Sequence, residues 1–137
     1  MMRLHVLTKI GLLSALALSG CQTIGGGAGM PGGQAQTATG MTRGLISGPL
    51  GKGLSAADRK TALASEYRAL EYTQGGKPVS WAGAKGDASG DVVAAQPYRV
   101  GSQDCRQYTH TVFVGGAARN ARGTACRNAD GSWDPLT

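Results

Sequence analysis

Three cysteines, one histidine outside the first twenty residues and a run of late arginines carry what chemistry this chain can do. Cys21 closes Leu18-Ser19-Gly20-Cys21, a lipobox, behind a positive start (Arg3, Lys9) and an apolar run from Ile10 to Leu18. That run is much shorter than the roughly 20 apolar residues of a spanning helix, so it reads as a removed signal and not as a membrane span. Cleavage before Cys21 leaves a thiol for diacylglycerol and an amine for an acyl chain, and two or more chains give stable attachment. An ordinary secretory signal is the alternative, but Leu18 does not suit its small-residue cleavage pattern. Gln22 follows the cysteine in place of an aspartate retention signal, which points to the outer membrane.

Cys105 and Cys126 remain. In an oxidising compartment a pair of cysteines in a small domain reads as a bridge, the alternative being two free buried thiols. Gly115-Gly116 suits the two-residue turn of a hairpin. Taking it as the turn sets Val114 against Ala117, and nine residues back on each side sets Cys105 against Cys126. Pairs alternate in character along an antiparallel ladder, so this one is non-hydrogen-bonded, with the close Cα spacing a bridge can use.

The same register puts Arg106, Tyr108, His110, Val112, Arg119 and Arg127 on one face. Residues 97 to 129 hold five arginines and one acid, Asp104. Arg106, Arg119 and Arg127 are therefore a candidate anion-binding patch for acidic envelope polymers. Scattered solvated charges whose stems cover the sheet are the alternative. His110 has no partner histidine, and no G-x-S-x-G elbow is present, so catalysis and metal or cofactor binding find little support. Asp87 and Asp91 sit in turn-rich sequence, where aspartate serves the backbone.

The elements that hold these residues follow from composition and period. Without residues 1–20 the chain has 117 residues, twelve Lys or Arg against eight Asp or Glu, a balance of four positive charges. That balance favours anionic partners, and an address outside the cytoplasm disfavours nucleic acid. Glycine is abundant, at 23 of 137 residues, and only one Phe is present, so the core is small and gains from a staple.

Residues 21–53 read as an acylated cysteine and a Gly-rich linker. Gly40, Gly44 and Gly48 recur at the four-residue spacing of close-packed membrane helices, but Arg43 and Pro49 favour a linker. Gly48 to Gly53 lacks the first glycine and the Ser/Thr of a phosphate-binding loop. Residues 54–137 read as the folded domain. Ser55 is a helix N-cap with Asp58 three residues on, and Leu63, Tyr67 and Leu70 make an apolar stripe along a helix from Ala56 to about Tyr72. After Pro78 the period becomes two. Strands are predicted at Val79–Trp81, Asp91–Ala95, Asp104–Val114 and Ala117–Arg127, with Trp133 as a short return. The expected fold is α+β, one N-terminal helix on a small antiparallel sheet of about four strands with a disulfide-stapled hairpin.

The lipobox, the Gly-rich run into G-K-G-L-S-A-A-D-R, then D-C-R-Q-Y-T-H-T, V-G-G and G-T-A-C-R-N-A-D-G-S-W resemble the rickettsial 17-kilodalton surface antigen family. The resemblance implies an outer-membrane surface lipoprotein, held in the membrane by acyl chains on Cys21, with no enzymatic activity. The family's glycine-zipper segment is thinned here and broken by Pro49. An envelope inhibitor or enzyme, such as a lysozyme-inhibitor-like lipoprotein, is the alternative class.

Overall fold

The computed structural model describes residues 40–136. The lipobox with Cys21 and residues 22–39 of the predicted linker lie outside them. One helix, α1 (Ala56–Glu71), packs on one face of an antiparallel sheet. The sheet comprises β1 (Pro78–Ala82), β2 (Ala88–Ala94), β3 (Tyr98–Val100), β4 (Gln103–Val114), β5 (Ala117–Arg127) and β6 (Trp133–Pro135). Strand order is β1-β2-β4-β5-β6, and β3 pairs with the start of β4 on the edge that β2 occupies further along. The α+β architecture is the expected one, and two strands of three residues, β3 and β6, bring the sheet to six.

The hairpin register is the one read from the sequence. Val114 faces Ala117 across Gly115 and Gly116, whose φ values of 59° and 80° are those a primed two-residue turn requires. Cys105 faces Cys126 and the two are bonded, with Cα atoms 4.0 Å apart.

Alternation along the strands decides which face is core. Val79 and Trp81 of β1, Val92 and Ala94 of β2, and Arg106, Tyr108, His110 and Val112 of β4 are all buried toward the helix. The opposite face carries Ser80, Asp91, Thr111 and Asn120 side by side across four strands, together with exposed Val93 and Phe113 and the buried Cys105–Cys126 pair.

Helix α1 starts as predicted. The Ser55 hydroxyl accepts from the Asp58 N–H at 3.0 Å. Its buried face, however, is Asp58, Ala62, Ser65, Glu66, Ala69 and Leu70, rotated from the predicted stripe. Leu63 and Tyr67 are only partly buried, against the rim of the core. Small residues line the contact because the helix sits close to the sheet, and one acid, Glu66, enters it fully.

The linker reading does not hold over residues 40–53. This stretch makes two 3-10 turns, Leu45–Ser47 and Pro49–Gly51, and buries Met41, Ile46 and Leu50. Burying such side chains contributes about 1.5–3 kcal/mol each, enough to fold a Gly-rich segment back onto the domain. Gly44 is required there. A Cβ on it would stand 1.8 Å from the Glu66 Oε2. The four-residue glycine spacing thus serves neither a linker nor a membrane helix: Gly40, with φ of 50°, and Gly44 let the backbone pass close to Tyr67 and Glu66.

Candidate functional site

The chemically richest place in the molecule is a buried junction around Glu66. From α1 its carboxylate reaches four donors. Oε1 accepts from the Ile46 N–H at 2.8 Å and lies 2.7 Å from the His110 Nδ1. Oε2 accepts from the Leu45 N–H at 3.0 Å and from the Tyr108 hydroxyl at 3.2 Å. The His110 Nε2 in turn accepts from the Trp81 indole N–H at 2.9 Å. An indole N–H can only donate, so Nε2 carries no proton and Nδ1–H donates to Glu66. With four donors on two oxygens there is no place for a carboxyl proton, and the group is held as a carboxylate. Burial, and then the Glu66 charge beside it, push the Tyr108 phenol well above its ordinary range, so it stays a donor.

A carboxylate orienting a histidine through Nδ1 is half of a general-base arrangement. Here the other half is closed. The Nε2 lone pair that would take a proton is occupied by Trp81, and Glu66 and His110 are both 0% exposed. Gly90 lets the indole lie there, since a Cβ on it would stand 2.6 Å from the Trp81 Nε1. The junction ties four parts of the fold together: the 45–46 turn, α1, β4 and β1. Sequence reading placed His110 on a sheet face but missed its partners. The available signal was Glu66 itself, an acid three residues after Leu63 and four before Leu70, inside the helix stripe.

The three arginines predicted as an anion patch share the helix-facing side of the sheet, and the fold uses them separately. Arg106 is buried, and burial lowers its pKa from the ordinary value. Its Nε donates to the Ala95 carbonyl at 2.7 Å, and its Nη1 donates to Ala69 and Leu70 carbonyls at 2.9 and 2.6 Å. It caps the last turn of α1, where a cation suits the unpaired carbonyls. Arg127 grips Glu71 with Nε and Nη2 at 2.8 and 3.0 Å, and Trp133 Nε1 donates to the same carboxylate at 2.7 Å. The Arg127 hydrogen bonds, helped by Trp133, hold the Glu71 carboxyl below its ordinary range against the opposing effect of burial. Arg119 donates through Nη2 to the Lys52 carbonyl at 2.5 Å. The predicted trio is therefore corrected: two of its members are structural, because a guanidinium on a core-facing side must find carbonyls or a carboxylate.

Among the described residues no group of three or more His, Cys, Asp or Glu is arranged to hold a metal ion, and no helix is long and apolar enough to cross a membrane.

Residues 68–134, from the last turn of α1 through β6, match the family described as 17 kDa outer membrane surface antigen. The chain is 41% identical over 85 residues to the 17 kDa surface antigen of Rickettsia bellii, covering 61% of this chain and 54% of that relative. Over this segment the chain is similar to the 17 kDa surface antigens. The Rickettsia felis antigen is 40% identical over 82 residues, covering 59% of this chain and 52% of its own length. The Rickettsia rickettsii antigen is 39% identical over the same number, with the same coverage. The chain thus spans about half the length of the surface antigens it matches. No solved structure matches it. The family span includes Trp81, Tyr108, His110 and both disulfide cysteines, while Glu66 and the 45–46 turn lie just upstream of it.

Proposed function

We propose that this chain is an outer-membrane surface lipoprotein, anchored by acyl chains on Cys21 and acting through interaction and envelope structure without catalysis. The sealed junction carries the non-catalytic part of the reading. Its one acid–base pair, Glu66 with His110, has both ring nitrogens engaged and no exposure. A surface recess of about 210 Å³ between β2 and β4 is lined by Val93, Gln107, Thr109 and Arg122 among others, and no acid or histidine lines it. Similarity over residues 68–134 to a family described as outer membrane surface antigens supports the location. The lipobox supports the anchor, since signal cleavage before Cys21 leaves acylation as the means of attachment.

Metabolic labelling with palmitate tests the anchor. The normal protein takes the label and Cys21→Ser loses it, appearing uncleaved or in the soluble fraction. Equal labelling of the two would remove the lipoprotein reading.

A further inference from the structure

We infer that Lys52, Arg59 and Arg119, brought together where the turn after Pro49–Gly51 meets the start of α1 and the hairpin end of β5, form a binding site for a phosphate-bearing anionic polymer of the envelope. Two contacts and one chain adjacency place them. The Arg119 guanidinium is held by the Lys52 carbonyl. The Arg59 Nε lies 3.7 Å from where a Cβ on Gly51 would stand, and Lys52 is the next residue. Lys52 and Arg59 are exposed, Arg119 is half-buried, and one N–H of Arg119 is spent on the protein, which leaves most of its fork directed elsewhere.

No carboxylate neutralises this group. The ion pairs among the described residues are Arg99 with Asp104, His110 with Glu66, and Arg127 with Glu71. The nearest acid in sequence, Asp58, is buried at 8% exposure and turned to Gly83 on the sheet side. Three unpaired cations on one small surface create a local positive field, and arginine forks suit phosphate oxygens.

Placement in the domain selects the polymer over membrane headgroups, and this step rests on the acyl-anchor reading above. The described chain begins at Gly40, whose carbonyl accepts from the Trp133 N–H, and Trp133 lies opposite Arg127. Arg119 stands eight residues along β5 from Arg127, about 26 Å at strand rise. The cations therefore sit at the end of the domain away from Gly40, where the described chain begins.

The test uses the full chain carrying Cys21→Ser, so that acyl insertion plays no part, and labelled inorganic polyphosphate as the probe. Binding is measured at about 0.02 M and about 0.3 M salt, either side of the ionic strength at which exposed charges are screened beyond about 10 Å. The site predicts salt-sensitive binding that weakens about tenfold or more in Lys52→Gln/Arg59→Gln/Arg119→Gln. A matched triple at exposed cations elsewhere, Arg68→Gln/Lys77→Gln/Arg122→Gln, removes the same charge and should bind as the unsubstituted chain does. Should the first triple fail to fold, the Lys52→Gln/Arg59→Gln double, which keeps the Arg119 contact, carries the comparison. No binding at low salt, or equal loss in both triples, overturns the site. Binding to phosphatidylglycerol vesicles as tight as to polyphosphate overturns the polymer assignment. Failure of palmitate labelling would leave the binding result standing and remove only the preference for a polymer over membrane headgroups.

Discussion

Glu66→Gln is the substitution that reads the junction most sharply, because it keeps the shape and changes only what the side chain can accept. Glutamine offers one oxygen where glutamate offers two. With that oxygen in the Oε1 position, the Ile46 N–H and the His110 Nδ1–H keep their acceptor. The amide NH₂ then faces the Tyr108 hydroxyl, which can turn and accept, and the Leu45 N–H, which cannot. The part-buried Leu45 N–H loses its carboxylate acceptor at about 1–3 kcal/mol, and the remaining bonds lose the strengthening of an ionised acceptor, about 1 kcal/mol more. The expected destabilisation is about 2–4 kcal/mol. For a domain of this size that is roughly 10 to 30 °C in the thermal midpoint. Circular dichroism of the disulfide-bonded protein measures it, with near-UV signal as the check that packing survives below the midpoint. A midpoint within about 3 °C of the unsubstituted protein, equivalent to under about 0.8 kcal/mol, would show that the four donors do not depend on this carboxylate.

Further expectations follow from the same contacts. Gly44→Ala sets a methyl group 1.8 Å from the Glu66 Oε2 and should lower the midpoint by as much as Glu66→Gln, which denaturant unfolding would report; an unchanged midpoint means the turn can back away. Reducing Cys105–Cys126, whose partners lie 21 residues apart in sequence, should cost about 3 kcal/mol in the chain-entropy model, and two free thiols found by mass spectrometry in the native protein would contradict the bond. Glu71 has its pKa lowered in the fold, so its contribution is present above the ordinary glutamate value of about 4.3 and is lost as pH falls through the lower folded value. Glu71→Gln should therefore flatten the acid limb of stability below about pH 4.3 while lowering stability at neutral pH, and a parallel acid limb in the variant would count against the Arg127 and Trp133 contacts.

The parts of this fold legible in the sequence are those fixed by local rules. Ser55 declared the helix start because a hydroxyl there satisfies a free N–H. Gly115-Gly116 declared the turn, and since pairing in a ladder is counted residue by residue, the turn carried the Cys105 to Cys126 contact with it. What local rules do not carry is which face of a mixed strand turns inward. Arg106, Tyr108 and His110 look like a solvated face when read singly, and become core only because Ala69, Leu70, Ala95 and Glu66 supply their partners from 11 to 44 residues away. The burial of residues 40–53 is hidden in the sequence for a related reason. Their glycines suggest freedom, whereas Gly44 and Gly51 are small because Glu66 and the Ile46 carbonyl stand where a Cβ would be. Strand β3 escaped notice because three exposed residues give no alternation to read.

Among the described residues the histidine–carboxylate pair, Glu66 with His110, is closed into structure, and this closure supports the proposal that the protein works by contact. Side-chain ¹⁵N spectra of His110 test this most directly. The junction requires a ring protonated at Nδ1, bare at Nε2 and slow to exchange its Nδ1 proton with water, at neutral pH. A proton on Nε2, or rapid exchange of the ring with solvent, would contradict it.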